Sequence, residues 1–242
     1  MNATAPPQYR QQGNHHLLYD TQRLGEAGVE LFQPATWAAN GRLHGGAPGR
    51  GTTVFVDDGQ GEMALRHFRR GGLIGKVVQD HYLWTGLEHS RPWREFRLLH
   101  TLFEMGLSVP RPLGAHCERR GLWYRADLLT ERLPGEPLAA CLAQQPLPLP
   151  QWQAIGACLR RFHRAGVYHA DLNARNILLG PQGEVVVLDF DQGALRPTPG
   201  AWQQHNLARL RRSLDKFARL QADFAFDETA WQALLDGYHN GE

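Results

Sequence analysis

Lysine is almost missing from this chain of 242 residues: of 26 basic residues only Lys76 and Lys216 are lysines, and the rest are arginines. GC-rich coding produces such a bias without any function behind it, and an anionic ligand also favours it, because a guanidinium grips phosphate oxygens bidentately. Cysteine is scarce too. Cys117, Cys141 and Cys158 lie far apart with no C-x-x-C pairing, which argues for a reducing compartment and against structural zinc. No apolar run approaches the roughly 20 residues needed to span a bilayer. The opening ten residues lack the basic stretch and apolar core of a secretory signal, so a protein that is soluble or peripheral to a membrane is expected. With a net charge of +2, nothing calls for a nucleic-acid partner, and no protein partner is evident. A hydrophobic content of 42% is enough to bury a full core, in one large domain or in two small lobes sharing a cleft.

Residues 1–16 are polar and rich in Pro and Gln, and a poorly ordered tail is expected there. Glycines crowd residues 40–53, among them Gly46, Gly49 and Gly51, before the strand-like Thr53-Val54-Phe55-Val56. Met63 to Phe68 reads as the next strand, after a turn over Asp57 to Gly61. Gly71 to Lys76 has neither the spacing of a Walker A loop nor its Ser/Thr, since Val77 follows the lysine. Ser90-Arg91-Pro92 opens a helix, with serine as cap and proline in the first turn. Phe96, Leu99 and Phe103 give that helix an apolar face, and Gly106 ends it. Strands follow on either side of a turn at Glu118 to Gly121, then a hinge at residues 131–135. Trp152, Ile155, Leu159 and Phe162 define a further amphipathic helix that stops at Gly166. The division expected is a β-rich lobe over 17–130 and a helical lobe over 136–242.

The stretch from Tyr168 to Gly193 carries the chemistry. Ile177-Leu178-Leu179 and Val185-Val186-Val187-Leu188 flank a Gly180-Pro181-Gln182-Gly183 turn, a β-hairpin that brings Asn176 and Asp189 to the same end. His169-x-Asp171 with Asn176 matches H-R-D-x-x-x-x-N position for position, and Asp189-Phe190 begins a D-F-G turn in which Asp191 replaces glycine. These residues resemble the catalytic loop and metal-binding turn of protein-kinase-like phosphotransferases. The resemblance implies a bilobal α+β fold, ATP and Mg2+ as cofactors, Asp171 as the catalytic residue that accepts the proton of a substrate hydroxyl, and Asn176 and Asp189 as metal ligands. His169 reads as a structural residue bonded to the turn. Asp191 is either a further ligand or a loop cap.

The same template extends to the first lobe. Met63-Ala64-Leu65-Arg66 fits V-A-I-K with arginine in place of lysine, so Arg66, or alternatively Lys76, contacts the ATP phosphates. Glu95 occupies the helix that supplies an acidic partner to that residue. Gly49 and Gly51 would approach the phosphates through backbone N–H groups, although Gly46-x-x-Gly49-x-Gly51 departs from G-x-G-x-x-G.

After Gln192 roughly fifty residues remain, with no A-P-E sequence and no long segment for docking peptides. Leu207, Leu210, Leu214 and Phe217 line one face of a helix, with Arg209, Arg211, Arg212, Lys216 and Arg219 around the other. Asp227 to Tyr238 forms a last helix. Gly49-Arg50-Gly51-Thr52-Thr53, Leu65 to Leu73, Tyr168 to Asn173, Asp189-Phe190-Asp191 and Asn206 to Leu214 together resemble the 3-deoxy-D-manno-octulosonic acid (Kdo) kinases of the lipopolysaccharide kinase family. That resemblance implies phosphorylation of the 4-hydroxyl of Kdo on a lipid A precursor, at the cytoplasmic face of the bacterial inner membrane. The basic helix face is then either solvated or held to the anionic membrane surface. Two rivals are a heptose or aminoglycoside-type small-molecule kinase and an inactive kinase-like binding module.

Overall fold

The computed structural model describes residues 5–47, 52–69 and 80–241. The chain forms two compact units, Met1–Met105 with Pro110–Leu133, and Gly106–Val109 with Pro134–Glu242. Their make-up meets the expected α+β class: an antiparallel sheet dominates the first and helices the second.

The first unit begins with β1 (Gln8–Gln12) and β2 (His15–Tyr19), then α1 (Thr21–Leu24), a 3-10 turn (Val29–Phe32) and α2 (Pro34–Ala39). β3 (Leu43–Ala47), β4 (Thr52–Asp57), β5 (Glu62–His67) and β6 (Tyr82–Leu83) precede α3 (Arg91–Glu104), and β7 (Pro112–Arg120) and β8 (Trp123–Glu131) complete it. The strands lie in the order β1-β2-β7-β8-β5-β4-β3, all antiparallel, with β6 added on β8. Leu17, Tyr19, Met63, Leu65, Leu113 and Leu129 share a core with Phe32 and Trp37 from the segment after β2.

For residues 8–16 that arrangement corrects the poorly ordered tail expected over residues 1–16. Polar composition predicts disorder only when a segment has nothing to pair with. Here β1 bonds to β2 and β2 to β7, so the segment extends the sheet, and Arg10 also donates to the Ala27 carbonyl at 3.2 Å. A second difference lies at the start of α3. The Ser90 hydroxyl donates backwards to Leu87 O at 2.6 Å instead of capping, and the first amide, Arg91 N–H, donates to the Tyr124 hydroxyl at 3.1 Å.

The second unit runs through β9 (Glu136–Pro137), α4 (Leu138–Leu142), α5 (Leu149–Arg164), β10 (Val167–Tyr168), β11 (Ile177–Leu179), β12 (Val185–Val187), β13 (Ala194–Leu195), α6 (Trp202–Leu220) and α7 (Glu228–Asn240). Trp152, Ile155, Leu159 and Phe162 are buried as the helical periodicity of α5 predicts. α5 and α7 approach so closely that a Cβ on Gly156 or Gly237 would overlap the backbone of the other helix. Asp227 caps α7, its carboxylate accepting from Ala230 N–H at 2.8 Å.

Candidate active site

In the second unit the segment of interest is a closed excursion. β10 pairs with β13, Val167 opposite Leu195 and Tyr168 opposite Ala194, so residues 169–193 leave and return at one point. Within it β11 pairs with β12, Ile177 opposite Val187. The ladder continues one step further, Leu188 N–H donating to Asn176 O at 2.8 Å. Asn176 and the Leu188-Asp189 corner therefore lie side by side, as the hairpin predicts.

His169 is buried beneath them. Its Nδ1 accepts from Asp171 N–H at 3.1 Å, so the proton sits on Nε2, which donates to Leu188 O at 2.9 Å. Burial holds its pKa below the usual imidazole range, and its ring packs on Phe190 at 4.9 Å between centroids. Phe190 in turn stacks on Phe162 of α5 at 5.9 Å. A neutral imidazole with both nitrogens bonded to backbone ties the loop to the Asp189 turn, the structural role expected of it.

Asp171 stays at the surface, its side chain half exposed. Asn173 Nδ2 donates to its carbonyl at 2.8 Å and to Oδ2 at 3.2 Å, and Asn176 Nδ2 donates to the same carbonyl at 2.9 Å. With its amide nitrogen so committed, Asn176 has Oδ1 left to face a cation. Asp189 is exposed and adopts a left-handed backbone, φ +62°, a conformation that costs a non-glycine residue energy and recurs where side chains are aimed at ligands. An amide oxygen and a carboxylate are hard donors of the kind magnesium takes, with water and phosphate completing its shell. Among the described residues no group of three or more His, Cys, Asp and Glu is arranged to hold a metal. Asp191, partly buried, lies in the following turn, closed by Gly193 N–H to Phe190 O at 2.8 Å.

α6 contributes what the sequence reading missed. Asn206 clamps the loop from both sides, its Oδ1 accepting from His169 N–H at 3.1 Å and its Nδ2 donating to His169 O at 2.9 Å. Arg209 Nη1 donates to Asp171 Oδ1 at 3.0 Å, and Ser213 Oγ accepts from Ala174 N–H at 3.3 Å. These residues are spaced i, i+3 and i+7, one helical face, so one face of α6 holds the loop. The spacing was the available signal, but Arg209 reads in sequence as part of a solvated basic face. Arg211 is also engaged, bonded to Asp215 and Glu228 at 2.9 Å each, whereas Arg212, Lys216 and Arg219 are exposed or partly exposed.

In the first unit Arg66 on β5 forms an ion pair with Glu95 on α3. Glu95 is buried, and the Arg66 guanidinium lies 4.6 Å from the centroid of Phe68. The structure thus joins the two residues that the template pairs, with arginine standing for lysine. Gly49, Gly51 and the alternative Lys76 lie outside the described residues.

The lipopolysaccharide kinase (Kdo/WaaP) family matches residues 34–238 of this chain. A 3-deoxy-D-manno-octulosonic acid kinase of Vibrio vulnificus strain YJ016 is 40% identical over 232 residues, covering 96% of this chain and 98% of the relative. A protein of the same name from Photobacterium profundum is 42% identical over 93% of this chain and 95% of its own length. Another, from Stenotrophomonas maltophilia strain K279a, is 45% identical over 83% of this chain and 80% of its own.

Proposed function

Since this chain belongs to the lipopolysaccharide kinase (Kdo/WaaP) family, we propose that it is an ATP-dependent kinase phosphorylating the 4-hydroxyl of Kdo on a lipid A precursor, a step of lipopolysaccharide core biosynthesis. The observation that carries the reading is the convergence of Asp171, Asn176 and Asp189 through the bonds from Asn176 Nδ2 to Asp171 O and from Leu188 N–H to Asn176 O. It is joined to relatives that bear the name of that activity. Asp171 accepts the proton of the sugar hydroxyl, whose oxygen takes the terminal phosphoryl group of ATP as ADP leaves. Asn176 and Asp189 would hold magnesium, which when bound adds positive charge along the phosphates. Arg66, kept in place by Glu95, supplies a fixed cation for the nucleotide phosphates.

The reading includes peripheral residence at the cytoplasmic face of the bacterial inner membrane, where a lipid-linked acceptor is presented. Among the described residues no helix is long and apolar enough to cross a membrane. Leu83 and Trp123, opposed across β6 and β8, are exposed together with Leu122. Apolar side chains of this kind beside Arg119 and Arg120 suit a headgroup boundary.

Purified enzyme with labelled ATP and either Kdo-bearing lipid A precursor or heptosylated core tests the acceptor. Label on Kdo is expected. Transfer to the heptosylated core alone would replace the acceptor, and ATP binding with no transfer to either would favour a binding module.

A further inference from the structure

An acceptor named as an ulosonic acid carries a carboxylate besides its hydroxyls. Docking one of those hydroxyls on Asp171 brings two negative charges within the width of a sugar ring, and like charges at that separation repel. A cation on the acceptor side is therefore required. Arg209 meets that requirement by position: Asn206, one turn earlier on α6, is locked to the backbone of His169 on both its oxygen and its nitrogen, so the helix delivers the guanidinium to Asp171 Oδ1 at 3.0 Å. The opposite oxygen, Oδ2, is taken by Asn173 at 3.2 Å. Both partners of the pair keep about half of their side chains exposed, 45% for Arg209 and 50% for Asp171. A guanidinium has five N–H donors in a planar fork, so binding Asp171 leaves donors for a second carboxylate.

We propose that Arg209 forms a carboxylate subsite beside Asp171, binding the acid group of the acceptor sugar while holding the catalytic carboxylate. The inference rests on the Kdo acceptor proposed above and adds a residue that selects an acid over a neutral sugar. It also gives the basic face of α6 a local task, distinct from any attraction to lipid.

The test compares full-length wild type, Arg209→Met and Arg209→Lys on two acceptors, Kdo-bearing lipid A precursor and the same lipid with the Kdo carboxylate converted to a primary amide. Wild type is expected to lose roughly 10- to 100-fold in kcat/KM on amidation, the range of one charge-assisted hydrogen bond to a carboxylate. Arg209→Met is expected to lose about as much on the acid acceptor and to be nearly indifferent to amidation, with the KM for ATP unchanged. Arg209→Lys, which keeps the charge but not the fork, should show an amidation penalty smaller than that of wild type and larger than that of Arg209→Met, and it supplies the comparison should the methionine variant fail to fold. An amidation penalty in Arg209→Met as large as in wild type, including an equal drop on both acceptors, overturns the subsite and leaves Arg209 a structural role. No transfer by wild type to the acid acceptor overturns the Kdo assignment itself, and the subsite with it.

Discussion

In the first unit Glu95 and Asp127 are buried, and each accepts hydrogen bonds from basic side chains. Glu95 pairs with Arg66, and Asp127 accepts from His67 Nδ1 at 2.7 Å and His116 Nδ1 at 2.8 Å. In the second unit the positions are exchanged: Asp171 and Asp189 reach solvent, while the buried titratable groups among the described residues include His163, His169 and Cys158. Burial would push the Asp127 carboxyl up, but the bonds from His116 and His67 outweigh it and hold its pKa below the ordinary range. The bond to Asp127 likewise raises His67 against the effect of its burial. In the second unit burial lowers His163 to about 4 and depresses His169 as well. The contrast separates two duties. Glu95 and Asp127 are taken out of water and held by basic partners, whereas Asp171 keeps half of its side chain exposed beside Arg209, and Asp189 is exposed.

The sharpest way to break the comparison is to remove one carboxylate of each kind. Asp171→Ala should lower kcat by about a thousandfold or more, with ATP affinity and thermal stability nearly unchanged; labelled-ATP turnover and nucleotide titration measure both. A large loss of ATP binding would show that Asp171 does not serve the acceptor. Glu95→Ala should do the reverse, costing about 2–4 kcal/mol of stability in denaturant titration and raising the KM for ATP, because Arg66 loses the partner of a largely buried pair.

Acid should set the units apart. A histidine whose folded pKa is about 4 against 6.5 unfolded binds its proton only when the chain opens. Stability from His163 is therefore whole above pH 6.5 and declines towards pH 4, by up to about 3 kcal/mol. For His67 the sign is opposite: its contribution is present below its unfolded value and is lost as pH rises through its raised folded value. His15 and His16, lowered chiefly by burial, weaken that contrast but lie nearer the surface. Amide exchange between pH 6.5 and 4 should therefore show protection falling in the β11–β12 ladder more than in the β5–β8 ladder. Equal losses in both would remove the distinction.

The smallest effect expected is that of Asn206→Ala. It strips the loop of two hydrogen bonds to His169, costing about 1–3 kcal/mol, and should lower kcat more than it lowers the melting temperature. A change in stability with kcat intact would mean that α6 supports the loop without positioning it.

Part of this site is legible in the order of residues along the chain. Asp171, Asn176 and Asp189 are placed by a hairpin whose strands and turn are contiguous in sequence, so periodicity and spacing suffice to bring them together. Arg66 and Glu95 are legible only through the template, since their pairing crosses from β5 to α3. The amino-terminal strand escapes such reading because its polarity is that of a tail, and its stabilising neighbour β2 depends on β7, about a hundred residues away. Arg209 reads as solvated for a similar reason. Nothing near it in sequence reveals that its partner lies 38 residues earlier.

Local order thus determined the reaction type: short-range hydrogen bonding between two short, fully buried strands forces this hairpin to gather Asn176 and Asp189 near Asp171. What tertiary structure alone decided is which distant side chains guard that carboxylate. Asn206, Arg209 and Ser213 acquire their roles only when helix packing turns one face of α6 onto the loop, and a helix's polar residues carry no mark of which surface they will meet.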